Sequence, residues 1–175
     1  DASGLNLGVP GAHNRENAKA VLALVSVLRS DEIKAEEALE NFSGTWRRFE
    51  YKGKTASGAE VYDDYAHHPT EVKATLAGTR EKFPDKRIVV VFQPHLYSRT
   101  KLLLDDFARA FGDADEVILA PIYAAREPFD PSITSEILAE KIGARALADF
   151  ESVEKHLRDN LREGDIIITM GAGDI

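Results

Sequence analysis

Between Asn14 and Leu28 the apolar residues Ala18, Val21, Leu22, Val25 and Leu28 fall at three- and four-residue steps, the spacing of one helix face. A shorter helix is predicted from Glu32 to Phe42, with Ile33, Ala38, Leu39 and Phe42 turned inward. Turn residues follow in NFSGT, Asn41 to Thr45, and a domain boundary is expected there, dividing residues 1–42 from 43–175. After it the rhythm changes. Arg47 to Lys52 (RRFEYK) and Glu60 to Asp64 (EVYDD) read as strands around the turn-rich KGKTASG. Then come a helix over Pro69 to Lys82, a strand over Arg87 to Gln93, a helix over Ser98 to Phe111 and a strand over Glu116 to Ala120. A helix over Thr134 to Ile142, a short strand near Ala146, a helix over Glu151 to Leu161 and a strand over Asp165 to Met170 complete the series. Continuous apolar runs such as RIVVVF and DIIITM mark strands covered on both faces, and strict alternation of strand and helix implies a parallel sheet between helices. The expected fold class is therefore α/β, a doubly wound, mostly parallel sheet preceded by two helices.

Composition narrows the partners. The chain has 175 residues, 43% of them hydrophobic and 30% charged, with a net charge of −8 and a pI near 5.2. A nucleic-acid surface needs clustered Lys and Arg, so no nucleic-acid partner is expected. There is no cysteine, which excludes disulfides and thiolate metal sites and allows a reducing compartment. No apolar run approaches the roughly 20 residues of a membrane span, and the opening DASGLNLG lacks a signal-peptide pattern; a cytoplasmic protein is expected. The start on Asp1, running at once through Pro10 and Gly11 into a helix, reads as a piece of a longer chain.

In an open parallel sheet, ligands sit beyond the carboxyl ends of the strands, where helix N-termini point. The loops on that edge are Tyr65 to Pro69, Pro94 to Arg99, Pro121 to Pro131 and Gly171 to Asp174. They carry His67, His68, His95, Tyr97, Arg99, Tyr123, Arg126 and Glu127. In DDYAHHPTE, Asp63 to Glu71, Pro69 suits the first turn of the helix and holds His68 out of helical geometry. That leaves two readings of the stretch: a polar turn with a capped helix, or a metal site using Asp63, Asp64, His67, His68 and His95. Against the last, neighbouring side chains of a strand point to opposite faces, so Asp63 and Asp64 do not easily share one ion. Arg99, in the first turn after QPHLYS, can reach the rim of His67 and clamp a carboxylate or phosphate, each charge-assisted bond contributing roughly 1.5 to 3 kcal/mol. GKT at Gly53 to Thr55 looks like the end of a phosphate loop, but Arg48 stands where the upstream glycine is needed. MGAGDI reads as a tight turn.

Taken together, GAHNRENA (Gly11 to Ala18), FSGTWRRFE (Phe42 to Glu50), DDYAHHPTE, VFQPHLYSRT (Val91 to Thr100) and MGAGDI (Met170 to Ile175) resemble the Mur ligases of peptidoglycan synthesis over essentially the whole chain. Within that family the likeness is greatest to members that join L-alanine to UDP-N-acetylmuramate. The resemblance implies an ATP-dependent amide ligase. Its ATP, with Mg, activates the sugar's carboxylate as an acyl phosphate, which the amine of L-alanine then attacks. It further implies three domains, of which this chain holds the end of the central ATPase domain and a Rossmann-like C-terminal domain. The partners are then the two substrates and the absent domains, which also carry the phosphate loop and most of the magnesium site.

Residue by residue, the resemblance makes His13 and Asn17 adenine contacts, Arg48 a contact to the ATP phosphates or ribose, and Asp64 the holder of the ribose hydroxyls. Tyr65, His67 and Arg99 correspond to the amino-acid pocket, with Arg99 on the alanine carboxylate and His67 near the amine; His95 stands beside them. The implied catalytic pair is His67 and Arg48. One departure is Leu96, where many relatives carry a second arginine. A recycling ligase for a murein tripeptide and a metal-dependent hydrolase are the alternative activities.

Overall fold

The structure, a computed structural model, describes residues 6–175; the opening Asp1 and the first five residues of the unit 1–42 lie outside the described residues. Thirteen elements follow in order: α1 (Ala12–Val27), α2 (Glu32–Glu40), β1 (Glu50–Lys54), β2 (Glu60–Asp64), α3 (Pro69–Lys82), β3 (Ile88–Phe92), α4 (Tyr97–Leu102), α5 (Leu104–Phe107), β4 (Glu116–Leu119), α6 (Ser135–Ile142), β5 (Arg145–Ala146), α7 (Phe150–Asn160) and β6 (Ile166–Met170). The six strands form one sheet in the order β1-β2-β6-β3-β4-β5. All neighbours are parallel except β1, which runs antiparallel to β2 at the edge.

Strand pleating divides the core. On one face Ile88, Val90 and Phe92 of β3 and Ile166, Ile168 and Met170 of β6 meet Leu76 of α3, Phe107 of α5 and Leu138 of α6. On the other, Val89, Val91, Ile118 and Ile167 meet Val153 of α7. Crossovers from β2 through β5 run across the sheet in one direction, and α7 makes the return; right-handed connections then put α7 on the opposite face. The doubly wound architecture read from the sequence is present.

Helix α3 begins where the local chemistry dictates. His68 is extended (φ −109°), its Nδ1 accepts the Thr70 N–H at 3.3 Å, and Pro69 takes the first turn. Glu71 reaches back to accept the His67 and His68 N–H groups at 3.0 and 3.2 Å, which completes a capping box.

Three expectations need correction. The strand read from Arg47 begins only at Glu50, because Arg47 and Phe49 adopt left-handed φ values of 52° and 51° that no strand accommodates. The helix read over Ser98 to Phe111 breaks at Leu103, since one continuous helix cannot turn three consecutive leucines and Phe107 inward; Leu102 is left 83% exposed while Phe107 is buried. The inward faces expected of the first two helices are only partly covered: Ala18 is buried and Leu22, Val25 and Leu39 are half-buried, but Val21, Leu28, Ile33 and Phe42 are exposed, since among the described residues the main contacts of α1 are with α2 and α3.

That last contact positions the site. Gly78 of α3 lies so close to Gly11 that an added Cβ would stand 3.0 Å from the Gly11 Cα. Gly11 itself has φ 102°. Arg15 closes the junction by pairing with Glu81 at 2.7 Å.

Candidate functional site

Two neighbouring features occupy the carboxyl edge of β2 and β3. The first is a cleft of about 590 Å³ between α1, the Arg48 segment and the start of α3; His13, Asn17, Phe42, Arg48, Asp64 and Thr75 contribute to its wall. The four residues expected to contact a nucleotide therefore share one cavity. His13 and Asn17 are exposed on one face of α1, and Arg48 is exposed on the loop before β1. Among the described residues, the Arg48 guanidinium forms neither a hydrogen bond nor an ion pair, which leaves its donors available.

Asp64 is buried at the floor of this cleft. Its Oδ2 accepts the Phe49 N–H at 2.9 Å and its Oδ1 the Ala66 N–H at 2.8 Å. Burial pushes its carboxyl above the ordinary range; the two N–H groups and the Arg48 charge pull the other way without cancelling it. Each oxygen keeps a second lone pair, the acceptor a hydroxyl would need.

The second feature is a file of rings. Tyr65 meets His67 edge-on at 5.4 Å between centroids, His67 meets His95 at 5.9 Å, and His95 stacks on Tyr123 at 5.5 Å with planes 16° apart. The hydrogen bonds assign opposite tautomers to the two histidines. His67 Nδ1 lies 3.0 Å from the Tyr65 carbonyl oxygen, which only accepts, so that nitrogen carries the proton and Nε2 offers its lone pair. Arg99 donates to His95 Nδ1 at 3.1 Å, so the His95 proton is on Nε2. Burial, then the Arg99 cation and the proximity of His67, hold His95 below the ordinary histidine value and therefore neutral at pH 7.

The loop after β4 backs this rim. Tyr123 donates its N–H to the Pro94 carbonyl at 2.8 Å and accepts from Leu96 N–H at 2.9 Å. Glu127 accepts from both the Ser98 hydroxyl and the Ser98 N–H at the start of α4. Leu96 is thereby held at φ 70°, a conformation unusual for a branched side chain.

Of the proposed metal ligands, Asp63 is occupied by Arg47 and Thr169, Asp64 by two backbone N–H groups, and His68 by its helix cap. Among the described residues no group of three His, Cys, Asp or Glu side chains is arranged to hold a metal. Gly53 and Lys54 lie on the edge strand β1, away from any phosphate turn.

Sequence reasoning passed over Arg47 and gave Tyr123 no role. Arg47 is buried, and its guanidinium donates to Asp63 at 2.8 Å and to the Gly171 and Gly173 carbonyls at 2.7 and 3.2 Å.

Residues 47–173 match the family model described as "Mur ligase, glutamate ligase domain". The chain belongs to the Mur ligase family. This Mur ligase domain is 50% identical over 179 aligned residues to the UDP-N-acetylmuramate–L-alanine ligase of Lachnospira eligens, an alignment covering 99% of the chain and 39% of that relative. Among solved structures it is similar to the UDP-N-acetylmuramate-alanine ligase MurC of Thermotoga maritima, with 33% identity, a TM-score of 0.78, and coverage of 96% of this chain and 36% of that one. A murein peptide ligase of Psychrobacter arcticus is similar with 26% identity and a TM-score of 0.64, covering 97% of this chain and 36% of that one. The chain thus spans under two-fifths of the length of the relatives it matches. Among the described residues of this Mur ligase domain, no helix is long and apolar enough to cross a membrane.

Proposed function

We infer that this chain is the C-terminal part of an ATP-dependent ligase that joins L-alanine to UDP-N-acetylmuramate in peptidoglycan synthesis. The observation carrying this reading is the adjacency of the two features: in the cleft of His13, Asn17, Arg48 and Asp64, the Arg48 guanidinium carbon lies 5.9 Å from the ring centre of Tyr65, the first ring of the histidine file. Residues 1–42 complete the preceding ATP-binding domain, and residues 43–175 form the domain that closes on it.

ATP supplies the phosphoryl group that activates the sugar's carboxylate, with magnesium held mainly outside this chain. The cleft has the volume and donor set for adenine and ribose, with Asn17 able both to donate to and accept from a base edge. Arg48, which lines the cleft and has no ion pair among the described residues, is the cation for phosphate. On the other side, Arg99 binds the amino-acid carboxylate, and the His67 Nε2 lone pair accepts a hydrogen bond or proton from the amine. Holding carboxylate, amine and phosphate in one geometry accounts for most of the acceleration such a site provides. The chain alone lacks half of these groups and is inactive by itself.

The test is ADP release by the full-length protein given ATP, magnesium and UDP-N-acetylmuramate, with L-alanine in one reaction and a murein tripeptide in another. Release dependent on L-alanine is expected. Release with the tripeptide alone would move the protein to the recycling branch of the family, and no release with either would overturn the ligase assignment.

A further inference from the structure

The contacts around Arg47 close a circuit. Its guanidinium carbon lies 5.2 Å from the centre of the Tyr65 ring, from which the file runs through His67 and His95 to Tyr123. From Tyr123 the path returns through Gly173, where an added Cβ would meet the Tyr123 ring at 2.8 Å and Gln93 Oε1 at 2.3 Å. The Gly173 carbonyl then accepts from Arg47 Nη1 at 3.2 Å. Six residues from five separate segments thus hold one another, and the two histidines lie midway between the arms that begin at Arg47.

The energetics favour a stiff device. Arg47 is a buried cation whose planar fork is divided between a carboxylate and two carbonyls, an arrangement a point charge on a flexible stem does not reproduce. Asp63 is in turn fixed by the Thr169 hydroxyl at 2.8 Å, and the Arg47 carbonyl accepts the Tyr65 N–H at 2.7 Å. The left-handed backbone of Arg47 is a strained conformation maintained by these contacts.

We propose that Arg47 is a positioning residue for the amino-acid half of the site, acting through Tyr65 on His67 and through the Gly171–Gly173 turn and Tyr123 on His95. This rests on the ligase reading of the site. It gives the MGAGDI turn a role different from phosphate binding: the turn offers carbonyl oxygens inward to an arginine and a side-chain-free surface to an aromatic ring.

Two variants of the full-length protein break the circuit at different joints, R47K and G173A. For each, KM for L-alanine is expected to rise about tenfold while KM for ATP changes less than about threefold; the thermal midpoint should fall in both, since R47K leaves buried acceptors short of donors and the G173A Cβ displaces Gln93 and Tyr123, with the protein still folded at the assay temperature. The double variant should lose little more than the worse single, because an opened circuit is not opened further by a second break. Losses that multiply, equal changes in both KM values, or no change would overturn the proposal. A second readout needs no turnover: the ring-proton resonances of His67 and His95 should move in both variants, and unmoved resonances would equally overturn it. If the wild-type protein shows no L-alanine-dependent ADP release, the ligase reading fails, while the resonances still decide whether Arg47 positions the histidines.

Discussion

Phe49 donates its backbone N–H to Asp64 Oδ2 at 2.9 Å, tying the buried carboxylate of the cleft to the segment that carries Arg48. Asp64 therefore shapes the cleft as well as facing it. Asp64→Asn keeps the size but turns one acceptor into a donor, so an amide N–H meets either the Phe49 or the Ala66 N–H. The expected cost is about 1–3 kcal/mol of stability together with weaker ATP binding. Thermal unfolding and nucleotide titration of the same sample check this; unchanged affinity would remove Asp64 from the nucleotide site.

Arg48 differs because, among the described residues, its guanidinium has no hydrogen bond or ion pair to lose. Arg48→Ala should leave the thermal midpoint unchanged and raise KM for ATP about ten- to hundredfold, the equivalent of one charge-assisted hydrogen bond of about 1.5–3 kcal/mol. A fall in stability without an effect on ATP would reassign this residue to packing against Tyr65, whose ring centre lies 5.9 Å from its guanidinium carbon.

His95 supplies the pH dependence. Its folded-state pKa is lowered, by burial first and then by the Arg99 cation and His67, so the native state resists a proton that the unfolded chain accepts. The contribution to stability is complete above the unfolded value of about 6.5 and is lost as the pH falls through that value toward the native one. Titration of the His95 ring by NMR should give a midpoint below 6.5, and Arg99→Gln should raise it by removing the nearby charge. A midpoint at or above 6.5 would contradict the neutral tautomer that accepts from Arg99.

How much of this was legible in the chain depends on how local the cause is. The start of the helix Pro69–Lys82 was read to the residue because its signals, a proline in the first turn and the extended His68 it enforces, are adjacent. The apolar runs gave β3 and β6 for the same reason: each strand's neighbours demand apolar side chains on both faces. Arg47 was missed because its partners Gly171 and Gly173 lie 124 and 126 residues away, and nothing local distinguishes a buried arginine from an exposed one. The open face of α1 defeated the inward reading differently, since periodicity reports that a face is apolar without saying what covers it. For the site, residue types and loop positions were legible, whereas the opposite tautomers of His67 and His95 depend on a carbonyl and a guanidinium that only the folded geometry brings together.

Leu96 offers the sharpest test of amino-acid binding. It stands between His95 and the helix that carries Arg99, at φ 70°, and its backbone is fixed at both ends: its N–H donates to the Tyr123 carbonyl, and its own carbonyl accepts the Thr100 hydroxyl at 2.8 Å. Leu96→Arg exchanges one side chain for another at the same strained φ, so the backbone penalty stays and stability should change by less than about 1 kcal/mol. The new cation would join Arg99 at the carboxylate, and two charges are expected to lower KM for L-alanine several-fold while leaving KM for ATP alone. Steady-state kinetics of the full-length variant decides the matter. A KM for L-alanine that stays put or rises would mean that Arg99 holds the carboxylate alone, and that the space beside His95 belongs to a different part of the substrate.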